Sequence, residues 1–446
     1  MVQKFRFTNF ALFVSVVAAL GGFLFGYNTS VISGALLFLV NDLKLSTFQQ
    51  ELVVSTLLIG ALLGSLCGGF LADFFGRKKT LFTTAVLFFI GTFFLTEAAD
   101  FEELLLGRFI SGFAIGLASV AVPLYIAEMA PCDRRGVYVS LNQLMITLGV
   151  LVAYIVCYLY AVRQEWREMF GFGFVPLSIQ FIGLFFIPET PAWLMTHHRK
   201  EAAEKVLHKL RIAHPAQHLV EVEAKEDTPK SSSWSALFKP TVKKAFFVGI
   251  GVSVFQQITG INAVVYYAPK IFQLAGYHTA EMATFVTMLL GCVNAGMTVI
   301  ALWLIDRLGR RPLLMIGLIG MSLSLGVLGL FFYHPGSQDS LMAAGALMIY
   351  IAFFAISLGP IAWLIISEIY PLGIRGRAMG AATFANWASN YVISLTFLSL
   401  IQLVGASFTF WLYMIISLIG LWFVYKMVPE TKGKTFEEIQ AFWEKK

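Results

Sequence analysis

The sequence predicts an all-α membrane protein, twelve transmembrane helices in two pseudo-symmetric six-helix halves, and three observations carry that prediction. The composition is too apolar for a soluble core: of 446 residues 58% are hydrophobic and 13% charged, with a mean hydropathy of +0.76, against about 25% charged in soluble domains. The apolar residues gather into windows near the roughly 20 residues that a helix needs to cross a bilayer. The polar punctuation between the windows recurs in the second half of the chain in the order of the first.

In order, the windows are 10–38, 51–72, 80–96, 104–125, 137–159, 168–187, 245–275, 281–305, 312–333, 342–366, 377–401 and 405–428. Continuous apolar runs of this length are helices, because a lone strand would leave its backbone unpaired in lipid. The first window follows Lys4 and Arg6 directly, but it is too long for a signal-peptide core and lacks a small-residue cleavage pattern, so an uncleaved first span is expected. With the N-terminus inside, all but five of the 32 Lys and Arg fall on the inner side, the exceptions being Lys44, Arg108, Arg163, Arg167 and Lys270. The positive-inside rule thus places both termini in the cytoplasm and disfavours nucleic acid as the partner of these charges. The chain divides into a first half at 1–187, a polar segment at 188–244, a second half at 245–428 and a tail at 429–446. The cysteines, Cys67, Cys132, Cys157 and Cys292, lack pairing or metal-ligand spacing, so no disulfide framework and no metal site are expected.

Asp73-Phe74-Phe75-Gly76-Arg77 after the second window is answered by Asp306-Arg307-Leu308-Gly309-Arg310 after the eighth. Glu128, Pro131, Arg135 and Gly136 are answered at identical spacing by Glu368, Pro371, Arg375 and Gly376, and Pro188-Glu189-Thr190 by Pro429-Glu430-Thr431. Parallel repeats of this kind build transporters that rock one half against the other around a site near the bilayer midplane. The charges of these turns sit at cytoplasmic helix ends: Asp73 with Arg77, Glu128 with Arg135, Glu189, and the counterparts Asp306, Arg310, Glu368, Arg375 and Glu430. A network of opposite charges on facing helix ends can hold one conformation and break in another, so these residues are the expected gate. In the polar segment Ala202, Ala203, Val206, Leu207 and Leu210 recur at helical spacing among charges, which predicts a short amphipathic cytoplasmic helix, and 228–233 reads as a linker.

Inside the windows lie uncharged amides: Asn142 and Gln143 in the fifth, Gln256, Gln257 and Asn262 in the seventh, Asn294 in the eighth, Asn386 and Asn390 in the eleventh. An amide both donates and accepts, which suits a neutral, hydroxyl-rich ligand; the same amides can also serve only to bond helices together. Gln256-Gln257-Ile258-Thr259-Gly260 allows the seventh helix to break, and Gly359-Pro360 the tenth, where Trp363 can stack on a sugar's C–H face. Arg108 is the basic residue well inside a span, with Asn28 of the first span at a similar depth. Proton coupling needs a titratable group, position 28 carries an amide, and no Asp or Glu lies well inside any window, so facilitated diffusion is expected.

These residues resemble the sugar porter family of the major facilitator superfamily from Gly21 to Gly433. The shared features are the repeated Gly-Arg loops, Pro-Glu-Thr-Pro at 188–191, Gln-Gln-Ile-Thr-Gly-Ile-Asn at 256–262 and Pro-Glu-Thr-Lys-Gly at 429–433. The resemblance implies a major facilitator fold with a cytoplasmic helical domain. It implies a sugar site lined by Gln143, Gln256, Gln257, Asn262, Asn294, Trp363, Asn386 and Trp387, with Tyr266 in the outer gate. Where bacterial proton-coupled members carry Asp on the first helix, Gly26-Tyr27-Asn28 is similar to the mammalian facilitative glucose transporters. Position 355 is Ala where those facilitators carry Glu, and Ala192-Trp193 replaces the family's Arg after Pro191, so a weaker cytoplasmic latch is expected.

The expected function is transmembrane transport of a hexose, pentose or polyol by alternating access, as a uniporter with Asn28 and Arg108 at the coupling position. Sugar–proton symport is the alternative and a non-transporting sugar sensor a remote one. The expected partners are a small neutral sugar or polyol, the lipid bilayer and, in the alternative, protons. No cofactor, nucleic acid or partner chain is expected, so a monomer in the inner or plasma membrane suffices. No phosphate-binding loop, metal cluster or nucleophile–base pair points to an enzyme.

Overall fold

Apolar runs in lipid must close their backbone hydrogen bonds internally, and in a computed structural model of the chain they do so as α-helix. The structure describes residues 9–131, 135–210, 237–238, 240–334, 340–370, 374–434 and 438, and no strand occurs among them. The first half runs α1 (Asn9–Ser30), α2 (Ile32–Asp42), α3 (Thr47–Phe75), α4 (Arg77–Glu97), α5 (Phe101–Met129), α6 (Arg135–Ala161), α7 (Trp166–Gly171) and α8 (Phe174–Phe186). Two short helices follow, α9 (Pro191–Thr196) and α10 (Lys200–Leu210). The second half runs α11 (Pro240–Ile258), α12 (Ile261–Leu274), α13 (Ala280–Leu308), α14 (Arg310–Tyr333), α15 (Ser340–Ile356), α16 (Leu358–Glu368) and α17 (Arg375–Met427).

Eleven of the described helical stretches are long and apolar enough to cross a membrane. The last of them contains both the eleventh and twelfth windows, because α17 turns at Gly405 with non-helical φ 84° and ψ 162°. Large apolar side chains such as Phe70, Phe186, Leu323, Leu341 and Trp422 stay exposed on the helices, where a lipid-immersed chain places them. The amphipathic helix expected in the polar segment is α10, which buries Ala203, Val206, Leu207 and Leu210. The expected linker at 228–233 lies outside the described residues.

The chain forms two compact units. The first comprises residues 1–28, 60–149 and 170–229. Here α3 and α5 approach until their backbones touch: a Cβ on Gly60 or Gly64 would strike the carbonyls of Phe109 and Phe113, the small-residue contact by which helices associate in lipid. Arg77 bonds Glu128 at 3.0 Å and Asp73 at 3.2 Å, so these three residues pair within this unit. Glu189 does something else. Both its oxygens accept the backbone N–H of Lys78 at 3.1 Å, making it the cap of α4. Trp193 Nε1 donates to the carbonyl of Asp73 at 2.9 Å.

The second unit, residues 29–59, 150–169 and 230–446, repeats the arrangement. Arg310 bonds Glu368 at 3.0 Å, while Glu430 accepts the backbone N–H groups of Arg310 and Arg311, each at 3.0 Å. Gly76 and Gly309 precede the two capped helices with φ of 99° and 91°, a region open to glycine. A side chain there would also meet the capping carboxylate. Glu189 and Glu430, expected as ion-pair members, are therefore helix caps first: the orphan N–H groups of a helix start are the nearest positive ends available to them. The side chains of Arg135, Asp306 and Arg375 lie outside the described residues.

The same unit joins the ends of the first-half helices farthest from the Gly-Arg turns to the second half. Tyr154 of α6 donates to the carbonyl of Val265 in α12 at 2.9 Å. Gln402 of α17 donates to Thr47 Oγ1 at the start of α3 at 2.6 Å. Glu51, one turn into α3, accepts both the backbone N–H of Ser399 at 2.7 Å and its hydroxyl at 2.6 Å.

The two caps titrate apart. Burial drives the Glu189 carboxyl above its ordinary value, and the amides of Thr190, Lys78 and Arg77, with the Arg77 charge, do not cancel it. Burial pushes Glu430 up too, but the amides of Lys432, Arg310, Arg311 and Thr431 outweigh it and hold the carboxyl below its ordinary value. A carboxyl held low when folded stabilises above its unfolded pKa and loses that as pH falls through the folded one. One held high stabilises below its unfolded pKa and loses that as pH rises through the folded one. At neutral pH the charge of Glu430 thus supports the fold and that of Glu189 opposes it. Glu430→Gln is expected to lower the thermal midpoint at pH 7 by about the loss of one cap, roughly 1 kcal/mol, and Glu189→Gln by less. Thermal unfolding of both variants in detergent measures this, and a larger loss for Glu189→Gln contradicts it.

Candidate functional site

A helix that breaks in the middle of a membrane exposes carbonyls that other groups must satisfy, and the second unit breaks two of its helices in this way. The seventh window divides at Gly260, whose φ of 93° and ψ of 11° are left-handed. A Cβ there would lie 2.8 Å from the ring of Tyr413. The freed carbonyl of Thr259 takes the Tyr350 hydroxyl at 2.9 Å. The tenth window divides at Ser357, with φ −125° and ψ −98°. Pro360 lacks the N–H that would bond the carbonyl four residues back, so the break falls just before it. Both breaks occur where the sequence predicts them.

Gln256, at the end of α11, ties the two breaks together. Its Nε2 donates to the carbonyls of Leu358 at 2.9 Å and Gly359 at 3.1 Å. Its Oε1 accepts Asn386 Nδ2 of α17 at 2.6 Å, and the same Nδ2 reaches the carbonyl of Ser253 at 2.9 Å. Gln257 Nε2 donates to Asn386 Oδ1 at 3.1 Å, and Gln257 Oε1 accepts Asn262 Nδ2 at 2.6 Å. The two glutamines and Asn386 are buried. Asn262 is half-buried, at the end of this chain of bonds. Four of the expected site residues thus form one continuous amide network with donors and acceptors in alternation.

One turn along, the pattern repeats. Asn390 Nδ2 donates to the hydroxyl of Tyr266 at 3.2 Å, and Ser394 Oγ donates to Asn390 Oδ1 at 3.1 Å. Residues 262, 266 and 270 share one face of α12, and 386, 390 and 394 one face of α17, each at i, i+4 spacing. Tyr266, expected in the gate, is buried and held by Asn390. Trp387 is buried on α17 next to Asn386. Asn294, half-buried on α13, and Trp363, 37% exposed on α16, stand outside the amide network.

Gln143 belongs to the first unit, half-buried on α6, where its backbone carbonyl accepts the hydroxyl of Thr147 at 3.0 Å. In that unit Asn28 is buried and turns its Nδ2 back to the carbonyl of Leu24 at 3.0 Å. Arg108, 1% exposed, donates Nη1 to the backbone carbonyl of Asn28 at 2.9 Å, three residues before the interruption between α1 and α2. The arginine thus meets a carbonyl at position 28, a group without a proton to exchange.

Two buried polar residues were not singled out from the sequence. Glu51 opens the second window, and it is 0% exposed within α3. The helix begins at Thr47, earlier than the hydropathy run, because hydropathy registers side chains and not the start of backbone pairing. Gln180 of α8, also missed, is 0% exposed with both amide atoms unbonded among the described residues. A single Gln in an apolar run was the signal for it.

Residues 14–443 match the family model described as Sugar (and other) transporter. The chain is 38% identical to the D-xylose transporter of Levilactobacillus brevis over 434 residues, covering 96% of this chain and 95% of that one. It is 38% identical to the galactose-proton symporter of Escherichia coli over 436 residues, 96% of this chain and 93% of that one. Among solved structures it is similar to the inward open conformation of the xylose transporter XylE from E. coli, with a TM-score of 0.84 at 34% identity over 96% of this chain and 99% of that one. Enzymes are not among these relatives. The chain belongs to the Sugar (and other) transporter family, as a multi-pass membrane transporter of the major facilitator superfamily.

Proposed function

We propose that the chain carries a neutral hexose, pentose or polyol across the cell's inner or plasma membrane by alternating access, as a facilitator. The observation that supports it most is the network of Gln256, Gln257, Asn262 and Asn386 between two broken helices. Neutral amides can exchange their mutual bonds for sugar hydroxyls at little net cost, since each bond lost is replaced in kind. The site is completed in this reading by Gln143, Asn294, Trp363 and Trp387, and gated by Tyr266. Trp363 keeps enough exposed indole to stack on a ring. Both termini face the cytoplasm, where the Lys and Arg concentrate, and residues 188–244 form a cytoplasmic domain between the halves. Asp73, Arg77, Glu128, Arg135, Glu189 and their counterparts form the cytoplasmic gate, and a monomer suffices.

Uniport is supported by Asn28, an amide bonded to its own helix while Arg108 takes its backbone carbonyl. Proton symport is the second reading. It is favoured by the buried carboxylate of Glu51, and relatives named as galactose-proton and arabinose-proton symporters are 38% and 37% identical to this chain.

Two measurements test the proposal. In proteoliposomes supplied with labelled xylose, glucose, galactose, arabinose or inositol, uptake is expected to stop at equilibrium even under an imposed inward proton gradient. Accumulation against the sugar gradient would establish symport instead. Gln256→Ala and Trp363→Ala should each raise the KM for the carried sugar about tenfold, one buried polar group or stacking face being worth roughly 1–2 kcal/mol. Both variants are expected in the membrane at normal levels; wild-type kinetics in both would remove these residues from the site.

A further inference from the structure

We infer that Glu51 is a charged latch that closes the end of the transporter distal to the Gly-Arg turns, and that its release from Ser399 gates entry from that side. The inference rests on the alternating-access reading of the function.

A carboxylate at a membrane-facing helix end normally stays wet. Glu51 does not: it is 0% exposed, as are its helical neighbours Val53 and Ser55, with Val54 at 1%. What holds it is a two-toothed grip on one residue, Oε1 on the backbone N–H of Ser399 at 2.7 Å and Oε2 on its hydroxyl at 2.6 Å. A carboxylate that takes a backbone N–H inside another helix fixes the axial position of that helix as well as its distance, which a pair of apolar side chains cannot do.

The grip joins the two halves of the repeat, since α3 belongs to the first and α17 to the second. Two further bonds on the same face of α3 make the same crossing. Gln402 Nε2 donates to Thr47 Oγ1 at 2.6 Å, and the ammonium of Lys270 on α12 donates to Oε1 of Gln50. Residues 47, 50 and 51 are at the i, i+3, i+4 spacing that forms one stripe. Lys270 is also drawn electrostatically to Glu51. It stands on the stripe of α12 that carries Asn262 and Tyr266, eight and four residues before it. On α12 this contact therefore shares a face with the amide network, eight residues beyond Asn262.

Physical chemistry explains why a charge serves here. Burying a carboxylate removes its hydration, and its charge-assisted bonds offset about as much, so such a contact is weak in sum but strict in geometry. When the distal end opens, water replaces the Ser399 bonds and the exchange is near balance. An apolar seal of equal area would favour the closed state outright. A latch of this kind suits a protein that must close and open the same seam in every cycle, and Glu51 is thereby a positioning residue that touches no sugar.

The test is a distance measurement. Spin labels at Lys44→Cys and Leu403→Cys, both exposed residues near this seam, are read by pulsed electron resonance in proteoliposomes, with Cys67, Cys132 and Cys292 changed to Ser and buried Cys157 retained. Wild type is expected to show a dominant short distance and a minor long one. Glu51→Ala and Ser399→Ala are each expected to raise the long-distance population about fivefold, and the double variant to add nothing beyond the larger single effect. The milder Glu51→Gln, which keeps shape and one acceptor, guards against misfolding and should fall between wild type and Glu51→Ala. If wild type visits the long distance and none of the variants shifts it, the latch is refuted while alternating access stands. If no variant and no wild type ever shows a second distance, with or without sugar, both fail together.

Discussion

Carbonyls freed inside a membrane have no water to turn to, and the way this chain satisfies them decides most of its architecture around the site. At Ser357 and Gly260 two helices stop and restart. The carbonyl of Thr259 is taken by the Tyr350 hydroxyl, and Gln256 Nε2 bonds the carbonyls of Leu358 and Gly359 where the tenth window restarts. Once Gln256 is committed on its donor side, its oxygen is fixed toward Asn386, and Asn386 in turn orients Gln257 and through it Asn262. An unpaired amide in such surroundings costs roughly 1–3 kcal/mol, so the matching of donors to acceptors holds the network in one arrangement. It ends at Asn262, which is half-buried.

The same need to satisfy backbone groups shapes the repeated turns. In each half a Pro-Glu-Thr carboxylate caps the helix that follows the Gly-Arg turn, while the arginine of that turn reaches a glutamate at the end of another helix, Glu128 in the first half and Glu368 in the second. Capping fixes where one helix starts, and the ion pair fixes which helix end lies beside it. One joint thus occurs twice, each copy formed within its own unit.

The fold was legible because its signals are long and redundant. Twelve apolar windows and three repeated turns each point to the same halves, and the glycine and proline of the seventh and tenth windows mark their breaks. The amide network was legible in its members, since Gln256, Gln257, Asn262 and Asn386 are polar residues with nothing else to do in a span. Its connections were not, because which donor meets which acceptor depends on helix rotation that no single sequence encodes. Glu189 and Glu430 were read as partners for arginine side chains, when the closer positive ends were backbone N–H groups of the next helix. Glu51 was passed over for a plainer reason: a charge at the edge of an apolar window looks solvated, and only the packing of α17 against α3 reveals that it is not.

Sugar binding at the amide network is the central claim, and a structure determined with bound sugar tests it directly. Sugar density is predicted within hydrogen-bonding distance of Asn262 and Gln257, with at least one of the bonds among the four amides exchanged for a sugar hydroxyl. Sugar bound elsewhere, with those four amides still bonded only to one another, would contradict it.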